Sequence, residues 1–497
     1  MPLIPLLVTL ALQPISQTWY GYGGNPHHTA QSNVATRAFD KIVWKTKVDQ
    51  NPRYSGDDLL AHYGEPSVTA NNTVIIPVKR GFDDNFKVEG RLGLNGRLLW
   101  TIISGYTLPP YGWVPSFGPT LTTDNRVAIP ESGGRVTFRS KPDEATGTVK
   151  TVCFYGDAEF ARSKAKYEAN VKICTPITTG LDGSVYFGYQ VLGDTPLKLE
   201  SGMAKIRPDG TAIYRSVASM AGDSSYRIVK QNCAPMISIG SGIVVYVTVA
   251  TGNYGRGKLL GLRTSDLSRR YSTDLFDPKS NQPATIDSDG TSSPVQGPDG
   301  DVYYGVLANS DGNNGYRGWL LHFSGDLTKQ KTSGAFGWDN TPTIVPRNLF
   351  PRYKGNSRYL LFTKYNNYAG GGGDGANRIA LLDPNEAALE SRSQIMTMKE
   401  IATQLGPTRD MDFPNHPNAV REWCINSGAI DIPGKSIIAN CEDGILYRWD
   451  LVTNTLSEKI RLTDGIGQAY APTFIGPDGK IYAINNATLY AVGSKPR

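Results

Sequence analysis

Aromatic and ionisable residues gather just before several short apolar stretches of this 497-residue chain. His62 and Tyr63 are the strongest candidates for acid–base chemistry, because an imidazole and a phenol exchange protons when a substrate lies within hydrogen-bond reach. The same loops supply the candidates for ligand binding, which are Tyr63, Glu65, Tyr111, Trp113, Trp338, Asn340, Glu422, Trp423 and Tyr470. If these loops meet, rings and polar groups on a concave surface would suit a sugar or an extended ligand. The alternative is that the rings pack against one another and close the space.

Signatures of common catalytic centres are missing from the sequence. The chain has no GxSxG nucleophile turn and no HExxH zinc pair. None of its five cysteines forms a CxxC or CxxCH motif, so a zinc ribbon and a covalently attached c-type haem both lose support. Cys153 with Cys174, and Cys424 with Cys441, could form disulfides in an oxidising compartment, or all five cysteines could be small buried apolar side chains.

The loop 309–315 is the weak candidate for a metal site. Side chains that carry oxygen, Asp311 and Asn313 among them, alternate there as they do in calcium-binding loops. The bidentate glutamate that closes an EF-hand loop is missing from it. A solvated turn is therefore the better interpretation, and no metal is predicted.

The elements that must position these residues follow from a repeat. Eight times a proline or small residue opens a short strand, which a turn connects to a second run rich in β-branched and aromatic residues. The residues that mark the eight copies are Pro66, Pro119, Pro176, Pro235, Pro294, Pro342, Gly428 and Pro472. Copies recur at roughly 45–60 residues, with one longer interval, which is typical of a propeller. Four strands in each copy predict an all-β fold, an eight-bladed β-propeller of four-stranded antiparallel blades, with seven blades as the alternative.

The last copy ends after three strands, near Leu489–Val492, although a ring of sheets must close to protect its edges. The stretch 40–48, which contains Trp44, is expected to add the fourth strand and so close the ring, and this favours eight blades. The longest interval, from Pro342 to Gly428, predicts a decorated sixth blade. In it, residues 385–404 form either a helical excursion or an extended fourth strand.

Composition narrows the class of partner. The chain carries 51 basic and 45 acidic residues, a formal charge of +6, and the basic residues are scattered, so no nucleic acid is expected to bind. The apolar run 2–12 is too short to span a bilayer. It predicts a signal peptide over residues 1–16, with residues 17–497 as one propeller domain that is secreted or periplasmic. No later stretch predicts a membrane span, and we expect a monomer that presents one face to a protein or glycan ligand.

Three segments carry a resemblance to a known family. Residues 19–32, followed by a strand that ends in Trp44, resemble the opening of pyrroloquinoline-quinone (PQQ)-type propellers. Residues 94–100 and 447–456 resemble the turn between the third and fourth strands in that family, where a following tryptophan docks between blades. The resemblance implies the propeller fold. For the quinoprotein dehydrogenases of the family it also implies PQQ, a Ca²⁺ site of Glu, Asn and Asp, a catalytic Asp and an adjacent cysteine pair.

This chain has no adjacent cysteine pair, and no motif places the calcium ligands or the base. It therefore resembles the non-catalytic members most, and no cofactor is predicted, with PQQ and Ca²⁺ as the alternative. The predicted function is an exported binding or scaffold module whose ligand lies at the aromatic mouth of the channel. The alternatives are a PQQ-dependent oxidoreductase and a polysaccharide lyase or hydrolase.

Overall fold

Each repeat of the sequence folds as one antiparallel sheet, and eight such sheets form a ring. The computed structural model describes residues 17–56, 58–110, 112–113, 115, 117–240, 242–464 and 472–497, and the predicted signal peptide lies outside them. We number the sheets as blades 1 to 8 in the order of the eight copies, and their strands from the central channel outward. The predicted eight-bladed propeller is confirmed, and the seven-bladed alternative is wrong.

Blades 1 to 4 come from the first half of the chain. Blade 1 consists of Ser67–Val68, Thr73–Lys79, Phe86–Leu92 and Leu98–Ser104. Blade 2 consists of Thr120–Leu121, Arg126–Pro130, Arg135–Ser140 and Val149–Cys153. Blade 3 consists of Thr178–Thr179, Val185–Val191, Gly202–Ile206 and Ala212–Ser216, and Val171–Ile173 also pairs with its second strand. Blade 4 consists of Met236–Ile237, Val244–Ala250, Gly255–Arg263 and Arg269–Asp274, and Ile228–Val229 and Thr285–Ile286 pair with its second and third strands.

Blades 5 to 8 complete the ring. Blade 5 consists of Val295–Gln296, Val302–Val306 and Trp319–Phe323, and single bridges from Gly334 and Gln330 to the third strand stand where the fourth would lie. Blade 6 consists of Thr343–Pro346, Tyr359–Tyr365, Arg378–Leu389 and Met396–Leu405. Blade 7 consists of Ala429–Asp431, Ser436–Asn440, Ile445–Asp450 and Thr455–Arg461. Blade 8 consists of Phe474–Ile475, Ile481–Asn485, Thr488–Val492 and, from the start of the chain, Ile42–Lys47.

The burial of a strand depends on its place in the blade. The second strand of blade 4, Val244–Ala250, is buried at every position, because neighbouring blades cover both of its faces. The outermost strand of blade 7, Thr455–Arg461, alternates between exposed and half-buried side chains, as one face of it meets solvent. The inner strands are therefore the firm supports from which the loops at the channel ends extend.

Short helices and turns connect the blades. The α-helices are Asp157–Arg162, Lys164–Asn170 and Val217–Ala221, and the 3-10 turns are Ser132–Gly134, Asn313–Tyr316, Arg347–Leu349 and Ala369–Gly371. A small hairpin of Tyr54–Ser55 and Asp58–Leu59 precedes blade 1, and Gln31–Ser32 pairs in parallel with the inner strand of blade 7. No helix among the described residues has the length and the apolar character needed to cross a bilayer.

The start of the chain closes the ring as predicted. Ile42–Lys47 pairs antiparallel with Thr488–Val492 and becomes the outer strand of blade 8. Trp44 of this strand docks on blade 1, where its Nε1 donates a hydrogen bond to the Gly93 carbonyl over 3.0 Å. Its ring lies so close to Gly96, whose φ is +73°, that a Cβ there would approach the ring to 2.8 Å. Inter-blade docking by tryptophan, implied by the family resemblance, is therefore present at this seam.

Residues 19–32, the channel segment, run along the inside of the ring. Trp19 is fully buried, and Glu65 accepts hydrogen bonds from its Nε1 over 2.6 Å and from the Gly23 N–H over 2.7 Å. The segment bonds in turn to blades 1, 2, 4, 5, 6 and 7, through the pairs Trp19–Val68, Tyr20–Leu121, Pro26–Ile237, His28–Pro294, Gln31–Ile344 and Ala30–Ile430. The channel is therefore filled by the protein's own chain.

Two alternatives left open by the sequence are resolved in this ring. Residues 385–404 belong to a long hairpin formed by Arg378–Leu389 and Met396–Leu405, so the extended fourth strand is confirmed and the helical excursion is wrong. All five cysteines are buried and none of them forms a disulfide, so neither of the two candidate disulfides is present.

Candidate ligand site at the channel mouth

Loops that precede the inner strands meet at one end of the channel and enclose a cavity of about 200 Å³. The side chains that line it come from six blades or from the loops that lead into them. They are His62, Trp113, Tyr254, Asp287, Asp289, Trp338, Asp339, Lys364, Tyr368, Glu422 and Cys424. The floor rests on the channel segment, because the Tyr22 hydroxyl donates to the Thr291 carbonyl over 3.0 Å, next to this wall.

In the loop before blade 7, alternation of side chains decides which residues reach the cavity. Before blade 7, Glu422 and Cys424 line the cavity, whereas Trp423 between them is fully buried in the blade. Successive side chains of an extended chain point in opposite directions, so this loop contributes every second residue. Before blade 5, Asp287 and Asp289 both line the cavity because the chain turns between them, and the Asp289 N–H donates to the Asp287 carboxylate.

The Asp339 carboxylate is the centre of a buried charge network in the wall. It accepts hydrogen bonds of 2.8 Å from both the backbone N–H and the hydroxyl of Thr291. The Lys364 ammonium lies 3.4 Å from this carboxylate and His62 Nε2 lies 4.0 Å from it. Burial alone would raise the pKa of Asp339, but Lys364, His62 and the Thr291 bonds outweigh it and hold the pKa below its usual value. The network therefore keeps this buried carboxylate ionised.

Two tryptophans flank a second acidic group. Trp338 Nε1 donates to Asp287 over 3.0 Å, and the Asp289 N–H donates to the same carboxylate over 2.8 Å. The Trp113 N–H and the Tyr254 hydroxyl each lie 3.4 Å from an oxygen of Asp289. Burial raises the pKa of Asp287, against the effect of these hydrogen bonds. The tryptophans and the carboxylates are thus held in fixed positions relative to one another.

His62 completes this side of the cavity. Its ring stacks on Trp113 with centroids 5.2 Å apart and an angle of 21° between the planes. Burial lowers the pKa of His62, although the nearby Asp339 charge raises it. The imidazole is therefore neutral at pH 7, the form that can both accept and donate a proton.

Glu422, Cys424 and Glu442 form an acidic cluster, and the first two of them line the cavity. The Glu422 N–H donates to Glu442 over 2.9 Å, and Cys424 Sγ donates to Glu442 over 3.3 Å. Burial, and next the charge of Glu442, raise the pKa of Glu422 to about 8, and burial raises the pKa of Glu442 to about 7. In the part of the chain that the structure describes, no other group of three or more His, Cys, Asp or Glu brings its ligand atoms within 4.8 Å of one another. Because the Cys424 thiol donates to a carboxylate and both carboxyls have raised pKa values, we assign this cluster a shared proton.

Asp311, one of the two weak metal candidates, belongs to no such cluster of acidic, His or Cys side chains among the described residues. The Asn313 side chain donates to the Asn309 carbonyl over 2.6 Å, which is a bond within the loop itself.

The structure brings some of the predicted site residues together and separates others. His62, Trp113, Trp338 and Glu422 line the cavity. Four predicted residues make other contacts and do not line it. The hydroxyl of Tyr63 donates to Asp49 over 2.8 Å, and Asn340 Nδ2 donates to Thr363 over 2.7 Å. Glu65 holds the channel segment, and Trp423 packs in blade 7. The predicted Tyr111 and Tyr470 lie outside the described residues.

The cavity also contains residues that the sequence did not indicate, which are Tyr254, Asp287, Asp289, Asp339, Lys364, Tyr368 and Cys424. The loop before blade 5 is acidic where the equivalent loops are aromatic, so a search for rings alone passes over Asp287 and Asp289. A usable signal existed for Lys364, because a lysine within the apolar second strand Tyr359–Tyr365 needs a buried partner.

Replacing Glu422 with glutamine is expected to stabilise the protein at high pH only. Because the pKa of Glu422 rises from 4.5 to about 8 on folding, the folded state keeps a proton that the unfolded state has lost between these pH values. The stability contributed by this carboxyl is therefore complete below the unfolded pKa and falls as the pH rises toward the folded one. We expect Glu422→Gln to gain about 1–3 kcal/mol near pH 9 and to match the wild type near pH 5.

Thermal unfolding followed by circular dichroism at the two pH values measures this difference. The control is Glu144→Gln, at an exposed position, which is expected to change stability at neither pH. An equal gain at both pH values would show that Glu422 is not protonated in the folded state.

Comparison with known proteins adds information on the fold. No protein-family profile matches the chain, and no curated protein matches its sequence. The chain is similar in structure to a europium-containing methanol dehydrogenase, with a TM-score of 0.58 and 10% identity over 97% of this chain and 99% of that one. It is also similar to Sqt1 of Saccharomyces cerevisiae, with a TM-score of 0.51 and 10% identity over 93% of this chain and 100% of that one.

A third similar structure is BamB from Moraxella catarrhalis, with a TM-score of 0.48 and 10% identity over 92% of this chain and 98% of that one. At such identities the likeness shows the fold alone. At that level the resemblance to PQQ-type propellers is confirmed.

Proposed function

We propose that this protein is a binding propeller that holds a small ligand in the cavity at the channel mouth. The observation that carries the proposal is the convergence of eleven side chains from six blades and their loops on one enclosed space of about 200 Å³. Cavities with aromatic walls and a few fixed polar groups are the usual form of small-molecule sites. Export, and a protein or glycan as the physiological partner, stay predictions.

The polar groups of this cavity are fixed before any ligand arrives. Asp339 is held by Thr291 and Lys364, and Asp287 by Trp338. Groups that are already ordered lose little conformational entropy when a ligand binds, so the wall is prepared for recognition.

A ligand screen followed by thermal shift tests the proposal, because a compound that binds only the folded state raises the melting temperature. The panel contains monosaccharides, amines, amino acids, short peptides, and PQQ with Ca²⁺. For any compound that binds, Trp338→Ala is expected to lower the affinity by about tenfold or more. The control is Tyr214→Ala, an exposed aromatic outside the cavity, which is expected to leave the affinity unchanged. A ligand whose affinity responds to neither variant would place its site elsewhere.

The fold family implies PQQ and Ca²⁺, but the cavity does not fit them. PQQ is a tricarboxylate, whereas the wall presents Asp287, Asp289, Asp339 and Glu422 with Lys364 as its one ammonium. The three ligand atoms that lie close together belong to Glu422, Cys424 and Glu442, and a thiol is not a ligand that Ca²⁺ prefers. A rise in melting temperature with PQQ and Ca²⁺ would favour the oxidoreductase instead.

A polysaccharide lyase or hydrolase is the second candidate, and the His62 environment favours it. A neutral imidazole 4.0 Å from Asp339 could take a proton from a sugar bound in the cavity. Incubation with uronic-acid polysaccharides, with detection of unsaturated products, tests the lyase form. A turnover that His62→Ala abolishes would replace the binding module by an enzyme.

A further inference from the structure

The wall of the cavity at the channel mouth carries more negative than positive groups. Asp339 is matched by Lys364 at 3.4 Å. The other three carboxylates of the wall, Asp287, Asp289 and Glu422, have no lysine or arginine nitrogen within 4.0 Å among the described residues.

Two further cations lie close to this wall, and the charge of Lys230 offsets part of the negative charge of Asp287. Lys230 is buried and its ammonium donates to the Gly290 carbonyl. Arg421, beside Glu422, pairs with Asp410 at 3.1 Å and with Asp412 at 2.6 Å. Above about pH 8, where Glu422 is ionised, four carboxylates among the described lining residues face two ammonium groups, those of Lys364 and Lys230.

Aromatic side chains lie beside the carboxylates in this cavity. Trp113, Trp338, Tyr254 and Tyr368 line the same space as the carboxylates. Ring faces attract cations through their quadrupoles, and a protein ammonium already uses one of them, since Lys364 Nζ lies 5.8 Å from the centre of a Trp338 ring. Aromatic rings combined with carboxylates are the recognition elements for organic ammonium groups.

The wall is less suited to binding a neutral sugar, because several of its acceptor oxygens are already hydrogen-bonded within the protein. Both oxygens of Asp287 accept bonds from within the protein, from Trp338 and from the Asp289 N–H. Asp339 is engaged by Thr291 and Lys364. The wall therefore offers surplus negative charge more than free hydrogen-bond acceptors for hydroxyl groups.

We propose that the cavity binds a small organic cation, an amine or a quaternary ammonium group, between Trp113 and Trp338, with Asp289 and Glu422 as its counter-charges. This inference rests on the proposed function and specifies the chemical class of its ligand.

Titration calorimetry of the full chain with choline, and separately with its uncharged isostere 3,3-dimethylbutan-1-ol, tests this. The measurement is made at low ionic strength, where surface screening is weakest, and near pH 9, where Glu422, whose pKa is about 8, is ionised. We expect choline to bind at least about tenfold more tightly than the alcohol. Glu422→Gln and Asp289→Asn are each expected to reduce that preference about tenfold or more, while Asp209→Asn, at an exposed turn, leaves it unchanged.

The variants keep the size of the side chain, and their circular dichroism and melting temperatures show whether the fold is retained. A second, independent readout is competition by Ca²⁺ and by glucose. Equal binding of choline and the alcohol, or binding of glucose alone, overturns the cation proposal and leaves the binding function standing. Tight Ca²⁺ binding that excludes choline also overturns it. Binding by none of these probes or by any compound of the wider screen overturns both proposals.

Discussion

Replacing Trp19 with alanine is expected to cost about 3–5 kcal/mol of unfolding free energy, the range for truncation of a large buried side chain. Trp19 is fully buried between the blades that begin and end the ring. Its N–H and C=O bond to Val68 of blade 1 over 2.8 Å, and its ring packs near Phe474 of blade 8, with centroids 6.4 Å apart. The substitution also removes the 2.6 Å hydrogen bond that the buried Glu65 carboxyl accepts.

Equilibrium unfolding in urea measures this loss. Leu94→Ala, at a side chain that is 67% exposed, is the control and is expected to cost less than about 0.5 kcal/mol. A loss below about 1 kcal/mol for Trp19→Ala would mean that the channel segment is not part of the folded ring.

The second large effect is expected at the cavity wall. Asp339→Ala leaves the Lys364 ammonium buried without the carboxylate that lies 3.4 Å from it, and breaking such a pair typically costs about 3–5 kcal/mol. Adding Lys364→Met removes the unmatched charge, so we expect the double variant to be more stable than Asp339→Ala alone.

Urea unfolding of the wild type, Asp339→Ala, Lys364→Met and the double variant forms a double-mutant cycle that measures this coupling. Asp194→Ala is the matched control, because its pair with Lys198 spans 3.3 Å between side chains that are about three-quarters exposed, and such pairs contribute less than about 1 kcal/mol. If the two single changes add without coupling, Asp339 and Lys364 are not partners.

The ring could be predicted from the sequence because its cause is local. Each blade is specified by its own proline, turn and apolar run, and the eight copies repeat that specification. The closing strand was predictable for a related reason. Blade 8 ends one strand short, and the stretch around Trp44, which precedes the first copy, has β character and supplies that strand.

The course of the channel segment could not be predicted in the same way. Tyr22 contacts Thr341, which is 319 positions away, and no local pattern encodes such a contact. Trp19 and Glu65 show the same limit. Their types are visible in the sequence, but their pairing depends on how the ring closes around them.

Within the mouth, the sequence identified loops more reliably than side chains. His62 lines the cavity whereas its neighbour Tyr63 turns to Asp49, and Glu422 lines it whereas Trp423 does not. These differences follow from strand parity, which reverses with a shift of one residue, so a pattern of residue types cannot fix it. A rule of alternate residues would have kept His62 without Tyr63, and would have exchanged Trp423 for Cys424.

The channel segment blocks the channel of the ring, so the cavity is open at one end only. A ligand that enters beside His62 and Trp338 must leave through the same opening, because Tyr22 and its neighbours in the channel segment block the channel. A long polymer could not pass through the channel, so only one of its ends or a branch could enter the cavity. Binding and release of a ligand would then both take place through this one opening.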